Sequence, residues 1–215
     1  MKLDSRLILA LDITDREKAI GIAAKVQNQV DAVKVNYPFV LGCGMGAVKD
    51  LAAKVDVICD FKVADIPNTN RLIVEQARKS GACGIICQAF PGRDSLEACI
   101  KAAEGMDVFV VTEMSHPGAD MFMMPVAERM ARLAVDVGAT GIIAPATKPE
   151  KIKALRKIVG NLRILSPGVG AQGGSASETI LAGADYVIVG RAIYDAADPG
   201  AAAKKIAAEI RGALK

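Results

Sequence analysis

Asp60 and Lys62 stand two residues apart in the segment Asp60-Phe-Lys-Val-Ala-Asp65, and Lys34 lies in a separate apolar run, Ala32 to Val35. On an extended strand such alternate residues project to one side, so a carboxylate and an ammonium share a face that a second ammonium can reach from a neighbouring strand. Asp12, at the end of the first apolar run, and Asp65 extend the set into alternating charges. Two readings fit these residues: a structural ion-pair network that fills the space, or a charged array kept for function. Burying charge is costly, and apolar residues in its place are often neutral or stabilising, so the retention of Lys34, Asp60, Lys62 and Asp65 favours chemistry.

Two further segments carry polar groups suited to a ligand. Ser166-Pro-Gly-Val-Gly-Ala-Gln-Gly-Gly174 is followed, after another apolar run, by Gly190-Arg191. Glycines let backbone N–H groups approach phosphate oxygens, and an arginine adds a bidentate, charge-assisted pair. A glycine run alone is an ordinary turn; joined to Gly190-Arg191 it points to a phosphate. In Thr112-Glu-Met-Ser-His-Pro-Gly118, the hydroxyl and backbone amide of Ser115 can read a polar ring edge. His116 is either a general base or a turn histidine before Pro117, and no Ser or Cys nucleophile with a fitting partner accompanies it.

The elements that must position these groups are legible as apolar runs: Leu7 to Leu11, Ala32 to Val35, Val57 to Cys59, Gly84 to Cys87, Val108 to Val111, Gly141 to Ala144, Leu162 to Leu165 and Tyr186 to Val189. They recur at intervals of about 25 residues, the length of one βα unit. Connectors between them have helical spacing. Ile152, Leu155, Ile158 and Val159 form one face opposite Lys153, Arg156 and Lys157. Thr14 is the expected N-cap of the first helix, and Asp198-Pro199 is expected to open the last. Continuously apolar strands are covered on both faces and are therefore parallel, and eight regular units predict closure into a single α/β (β/α)₈ TIM barrel over residues 1–215. An open doubly wound sheet is the rival. In the barrel, active sites lie at the C-terminal ends of strands, where Asp12, Lys34, Asp60 and Lys62 fall, with phosphate often held after strands seven and eight.

Composition narrows the class. Of 215 residues, 52% are hydrophobic and 24% charged, which excludes a disordered chain or disulfide scaffold and supports a large core. Five cysteines without a C-x-x-C pair, and one histidine, leave zinc and iron–sulfur sites without ligands, so no metal is expected. Buried thiols in a reducing cytoplasm are the expectation. The apolar run Leu7 to Leu11 is too short for a signal or membrane segment. A net charge of +3, spread along the chain without Trp, argues against nucleic acid.

Together, Asp60-Phe-Lys-Val-Ala-Asp-Ile-Pro67, Glu113-Met-Ser-His-Pro-Gly118, Ser166-Pro-Gly-Val-Gly-Ala-Gln-Gly-Gly174 and Val189-Gly-Arg-Ala-Ile-Tyr194 resemble the orotidine 5′-monophosphate decarboxylase family, especially its short archaeal form, over nearly the whole chain. The D-x-K-x-x-D element alone marks only a wider superfamily that includes hexulose-phosphate synthases and ketogulonate-phosphate decarboxylases. The resemblance implies a charged network of Lys34, Asp60, Lys62 and Asp65, with Asp65 and Thr69 reaching the neighbouring site in a homodimer. It implies that Asp12 binds a ribose hydroxyl, Ser115 the pyrimidine amide, Gln172 both pyrimidine and phosphate, and Gly190 with Arg191 the phosphate, with Ile66 and Pro167 also at the substrate. Gln88 departs from the histidine common at the end of strand four in similar archaeal sequences.

The reaction so implied converts orotidine 5′-monophosphate to UMP and carbon dioxide in pyrimidine biosynthesis. Loss of carbon dioxide leaves an in-plane electron pair at C6, and the sequence carries no metal or pyridoxal ligand pattern, so no cofactor is expected. Lys62 is then the group that stabilises the charge and donates the proton. Two alternatives remain at this stage: a Mg²⁺-dependent sugar-phosphate lyase or decarboxylase on the same scaffold, and a nucleotide-phosphate sensor without chemistry.

Overall fold

Strands that are apolar at every position need a hydrophobic layer on each face, and this chain supplies both. The computed structural model describes residues 1–214. Its elements alternate as β1 (Leu7–Ala10), α1 (Arg16–Val26), β2 (Ala32–Asn36), α2 (Tyr37–Ala52), β3 (Val57–Val63), α3 (Pro67–Lys79), β4 (Gly84–Gln88) and α4 (Arg93–Ala103). They continue as β5 (Asp107–Val111), α5 (Ala119–Phe122), α6 (Ala127–Asp136), β6 (Gly141–Ile143), α7 (Pro149–Val159), β7 (Arg163–Pro167), α8 (Ala176–Leu181), β8 (Tyr186–Val189), α9 (Arg191–Tyr194) and α10 (Pro199–Ala213). The strands pair in parallel in sequence order and β1 closes on β8, which excludes the open sheet.

Alternation along each strand divides the core. Leu7 and Leu9 of β1 face the helices, whereas Ile8 and Ala10 face the barrel axis with Ile58, Phe109, Leu165 and Tyr186. Phe109 and Tyr186 are fully buried and fill the interior, so the barrel has a packed centre and its mouth alone is open to a ligand. The same parity places Ala32 and Lys34 of β2, and Ile58 and Asp60 of β3, on the inward side, in the register Lys34 opposite Ile58 and Asn36 opposite Asp60.

Local details depart from the sequence expectations in three places. Asp15, not Thr14, caps α1, its carboxylate accepting from the Lys18 amide at 2.9 Å. The helix begins at Arg16, so Asp15 holds the extended cap position, and Thr14 instead offers its carbonyl to the Cys43 thiol at 3.2 Å. Arg156 does not lie on the exposed face of α7: it is half-buried, bonds the carbonyls of Gly160, Leu162 and Gly183, and pairs with Asp185 at 2.5 Å. Its long stem carries the guanidinium to those carbonyls, and of the apolar face assigned to Ile152, Leu155, Ile158 and Val159 all but Ile158 are fully buried. Cys43 and Cys83 are only partly buried, while Cys59, Cys87 and Cys99 are buried, and all five are free thiols. The predicted opening of α10 holds, with Asp198 accepting from the Ala201 amide at 3.0 Å and Pro199 in the first turn.

Strand spacing at β6 leaves no room for a side chain. A Cβ on Gly141 would lie 2.2 Å from the Arg163 carbonyl oxygen, its register partner on β7. Gly141→Ala should therefore lower stability by about 1–3 kcal/mol through forced backbone displacement. Gly21, in the middle of α1 with open space around it, is the counter-case. Gly21→Ala should raise stability by about 0.5–1 kcal/mol. Thermal unfolding of both variants checks the pair, and a neutral Gly141→Ala would contradict the close approach.

Candidate active site

Asp60 is the centre of the barrel mouth. It is 8% exposed on β3, with one oxygen accepting from Lys34 Nζ and the other from Lys62 Nζ, each at 2.8 Å. Lys34 Nζ also lies 3.8 Å from Asp12 Oδ1, so the charges alternate along a line from Asp12 through Lys34 and Asp60 to Lys62. Burial pushes the Asp60 carboxyl up, but the two ammoniums and their hydrogen bonds outweigh it and hold the group below the ordinary aspartate range. Burial pushes the neighbouring Cys59 thiol up to about 12, which leaves it protonated and unsuited to act as a nucleophile at neutral pH.

The Asp60–Lys62 contact forms, but not through a regular strand. Lys62 has a φ of 43°, in the left-handed region, and the β3–β4 register shifts between Cys59 and Val63. A left-handed non-glycine residue costs on the order of 1–2 kcal/mol and clusters at functional sites. The bulge turns the Lys62 stem back toward Asp60 and leaves its side chain 39% exposed, against 8% for Lys34. Both cations reach the cavity wall, and Lys62 is the more open of the two.

That cavity is about 310 Å³ and is lined by Asp12, Lys34, Asp60 and Lys62 on one side, and by Ser115, Pro167, Gln172, Gly190 and Arg191 on the other. Ile86, Val111, Ile143 and Ile188, the uppermost apolar layer of the barrel, form its floor. Ser115 Oγ donates to Gln172 Oε1 at 2.8 Å, joining the loop after β5 to the loop after β7 across the mouth. Gly168, with a φ of 106°, begins the turn that brings Gln172 there.

Asp65, Ile66 and Thr69 do not line this cavity. Asp65 is exposed and its carboxylate accepts from the next amide, Ile66, at 2.7 Å. The four-membered network expected from the sequence is therefore, within one chain, a line of Asp12, Lys34, Asp60 and Lys62 without Asp65. The turn bearing Asp65 is nonetheless firmly built: buried Asn70 brackets its backbone with bonds of 2.9 Å to amide and carbonyl, and Ser95 adds a third. His116 is exposed and does not line the cavity. Gln88 is buried at the end of β4 but does not line the cavity.

Sequence reasoning missed Asn36, Glu113 and Tyr194, which line the mouth. Asn36 donates to Asp12 Oδ1 at 2.8 Å while its own oxygen caps α2. Its spacing of two from Lys34 was the available signal. Glu113, 1% exposed, lies two residues beyond the end of β5 and bonds Lys148 at 3.0 Å. Among the described residues no group of three or more His, Cys, Asp or Glu side chains is arranged to hold a metal ion. No helix among them is long and apolar enough to cross a membrane.

With this geometry in place, likeness to known proteins is informative. The orotidine 5′-phosphate decarboxylase of Methanococcoides burtonii is 59% identical over 213 residues, covering 98% of this chain and 99% of its own length. That of Methanosarcina barkeri is 58% identical, covering 98% and 96%. Among solved structures, the orotidine 5′-monophosphate decarboxylase of Methanocaldococcus jannaschii, complexed with the inhibitor BMP, superposes with a TM-score of 0.91 at 42% identity over 95% of this chain and 97% of that one. The Pyrococcus horikoshii enzyme gives 0.91 at 45% identity over 96% and 99%. Residues 5–206 match one family along the entire barrel, motifs and mouth included, and the chain belongs to it: the orotidine 5′-phosphate decarboxylase / HUMPS family.

Proposed function

We propose that this chain decarboxylates orotidine 5′-monophosphate to UMP at the barrel mouth, with the Lys62 ammonium stabilising the charge at C6 and then protonating it. Relatives bearing that activity in their names span nearly the whole chain at 56–59% identity, which supports the reaction. The observation that carries the role of Lys62 is its position: one N–H engages Asp60 at 2.8 Å while the side chain remains open to the cavity.

The C6–carboxylate bond breaks, carbon dioxide leaves, and the electron pair stays on C6. An ammonium fixed by Asp60 stabilises that charge more than water does, because its orientation is set before the reaction. The proton then passes from Lys62 Nζ to C6, and the amine is reprotonated from solvent. Asp60 near the substrate carboxylate adds repulsion on the order of 4 kcal/mol at about 4 Å and an effective dielectric of about 20. This contribution ranks below Lys62, since two ammoniums already offset the Asp60 charge.

Around that centre, Asp12 is assigned to a ribose hydroxyl and Lys34 to orienting Asp60. Ser115 and Gln172 read the pyrimidine, with Pro167 beside them, and Gly190 and Arg191 hold the phosphate. Contacts to this remote phosphate supply binding energy that can assemble the loops around the reacting carbon. Asp65, Ile66 and Thr69 are assigned to the site of a second copy in a homodimer. The exposure of Asp65 and Ile66 at a hydrogen-bonded turn, with the partly buried Thr69 in the first turn of α3, supports this, as do the exposed apolar side chains of Leu41, Ile66, Leu72 and Phe90 on the second, third and fourth βα units.

Loss of orotidine 5′-monophosphate absorbance, followed with and without chelator, tests the chemistry. Turnover should be chelator-insensitive, and Lys62→Ala should reduce it by more than about 10³-fold. A chelator-sensitive reaction would reject the assignment. Site sharing has its own test: neither Asp65→Ala nor Lys62→Ala should be active alone, and an equal mixture should recover about one quarter of wild-type activity if dimers exchange randomly. No recovery after verified exchange would place Asp65 outside the partner's site.

The Asp60 charge also sets a pH dependence. Because its folded pKa is depressed, its contribution to stability is complete above the unfolded value of about 3.9 and is lost as pH falls through the lower folded value. The melting-temperature gap between wild type and Asp60→Asn should be largest near neutrality and shrink below about pH 4. A constant gap across that range would contradict the ion-pair account.

A further inference from the structure

One buried carboxylate at the mouth has no part in the reaction just described. Glu113 lies two residues beyond the end of β5, and its Oε1 accepts from Lys148 Nζ at 3.0 Å while its Oε2 is buried without a hydrogen-bond partner. The same Lys148 ammonium donates to Asp120 Oδ1, also at 3.0 Å. Lys148 itself sits where the loop after β6 enters α7. A single cation thus joins the start and the end of the 113–120 segment and ties both to the next βα unit.

The segment needs such a tie. Its backbone hydrogen bonds among the described residues are local, from Ala119, Asp120 and Met121 back to His116, Pro117 and Gly118. The strand ladder stops just before it, where Thr112 bonds the Ile143 carbonyl through both its amide and its hydroxyl. Polar contacts from the segment to other parts of the barrel are Lys148 at its two ends and Ser115 to Gln172 between them. Ser115 lies two residues from the Glu113 anchor, so its reach across the mouth depends on where the anchor holds the chain.

We infer that Lys148 is a positioning residue: its ammonium clamps both ends of the 113–120 loop and so fixes Ser115 at the cavity. The clamp does not touch the ligand, and its kinetic effect rests on the proposed reading of Ser115 as a pyrimidine contact. Removing the lysine also leaves the nearly inaccessible Glu113 carboxylate without its counter-charge, which favours movement of the loop toward water.

A double-mutant cycle separates this role from a general loss of stability. Lys148→Met should lower kcat/KM about tenfold, and Lys148→Arg, which can still bridge two carboxylates, should recover most of the loss. In a Ser115→Ala background the same Lys148→Met change should cost less than about twofold, whereas with Arg191→Ala the losses should multiply. Amide hydrogen exchange across 113–122 should quicken in Lys148→Met and leave the strands unchanged. Should Lys148→Met not fold, Asp120→Asn, on the exposed arm of the clamp, reads the same coupling. Equal losses with and without Ser115, or unchanged exchange in the loop, would overturn the inference. A silent Ser115→Ala with quickened exchange would instead overturn the pyrimidine reading and leave the mechanical clamp standing.

Discussion

A carboxylate held out of water between two ammoniums is the interaction on which the mouth of this barrel depends. Asp60 is accessible over only 8% of its surface, and each of its oxygens has its own cation at 2.8 Å. Such a group tolerates no partial arrangement, because removing one partner from a buried ion pair leaves an uncompensated charge that costs about 3–5 kcal/mol. The positions of Lys34 and Lys62 are therefore tightly coupled to that of Asp60. Through Lys34 the constraint extends to Asp12, and through Asp12 to Asn36 and the start of α2.

Parallel pairing makes that constraint affordable in structural terms, since β1, β2 and β3 lie side by side and bring their C-terminal ends to one place. Beneath them, an apolar interior of Ile58, Phe109, Leu165 and Tyr186 excludes water and gives the charges a fixed base. The irregularity in these strands is at Lys62, where a left-handed backbone and a shift in the β3–β4 register accompany an ammonium that reaches the cavity. A regular strand end would have kept Lys62 in the ladder with Val63; the bulge releases it while Asp60 still holds its charge.

The opposite side of the mouth is built differently. Ser115, Gln172, Gly190 and Arg191 come from loops after β5, β7 and β8, and Ser115 meets Gln172 directly. Lys34, Asp60 and Lys62 are on strands, whereas Ser115, Gln172 and Gly190 are on the segments that follow them. Strand positions are held by the hydrogen-bonded ladder, whereas loop positions have more freedom to move.

The order and type of the elements were legible in the sequence, because a strand buried on both faces has no polar face to interrupt its apolar run. The charged residues at the strand ends were legible for the converse reason: charge in such a place has no simple role in packing. Three things needed the folded chain. Asp15 rather than Thr14 caps α1, since both residue types suit a cap and only backbone geometry chooses between them. Arg156 turns inward because carbonyls and Asp185, distant in sequence, converge on it. Asp65, written beside Asp60 and Lys62, lies apart from them within one chain, because Ile66 caps α3 just after it and Asn70 pins the backbone of its turn. The sequence by itself determined the repeating βα pattern and the residue types at the mouth, both of which depend on local periodicity and the cost of burying charge. The tertiary structure decided which of those residues meet, because contacts such as Lys34 to Asp60, Ser115 to Gln172 and Lys148 to Glu113 depend on strand register, a bulge and loop closure, which no local pattern encodes.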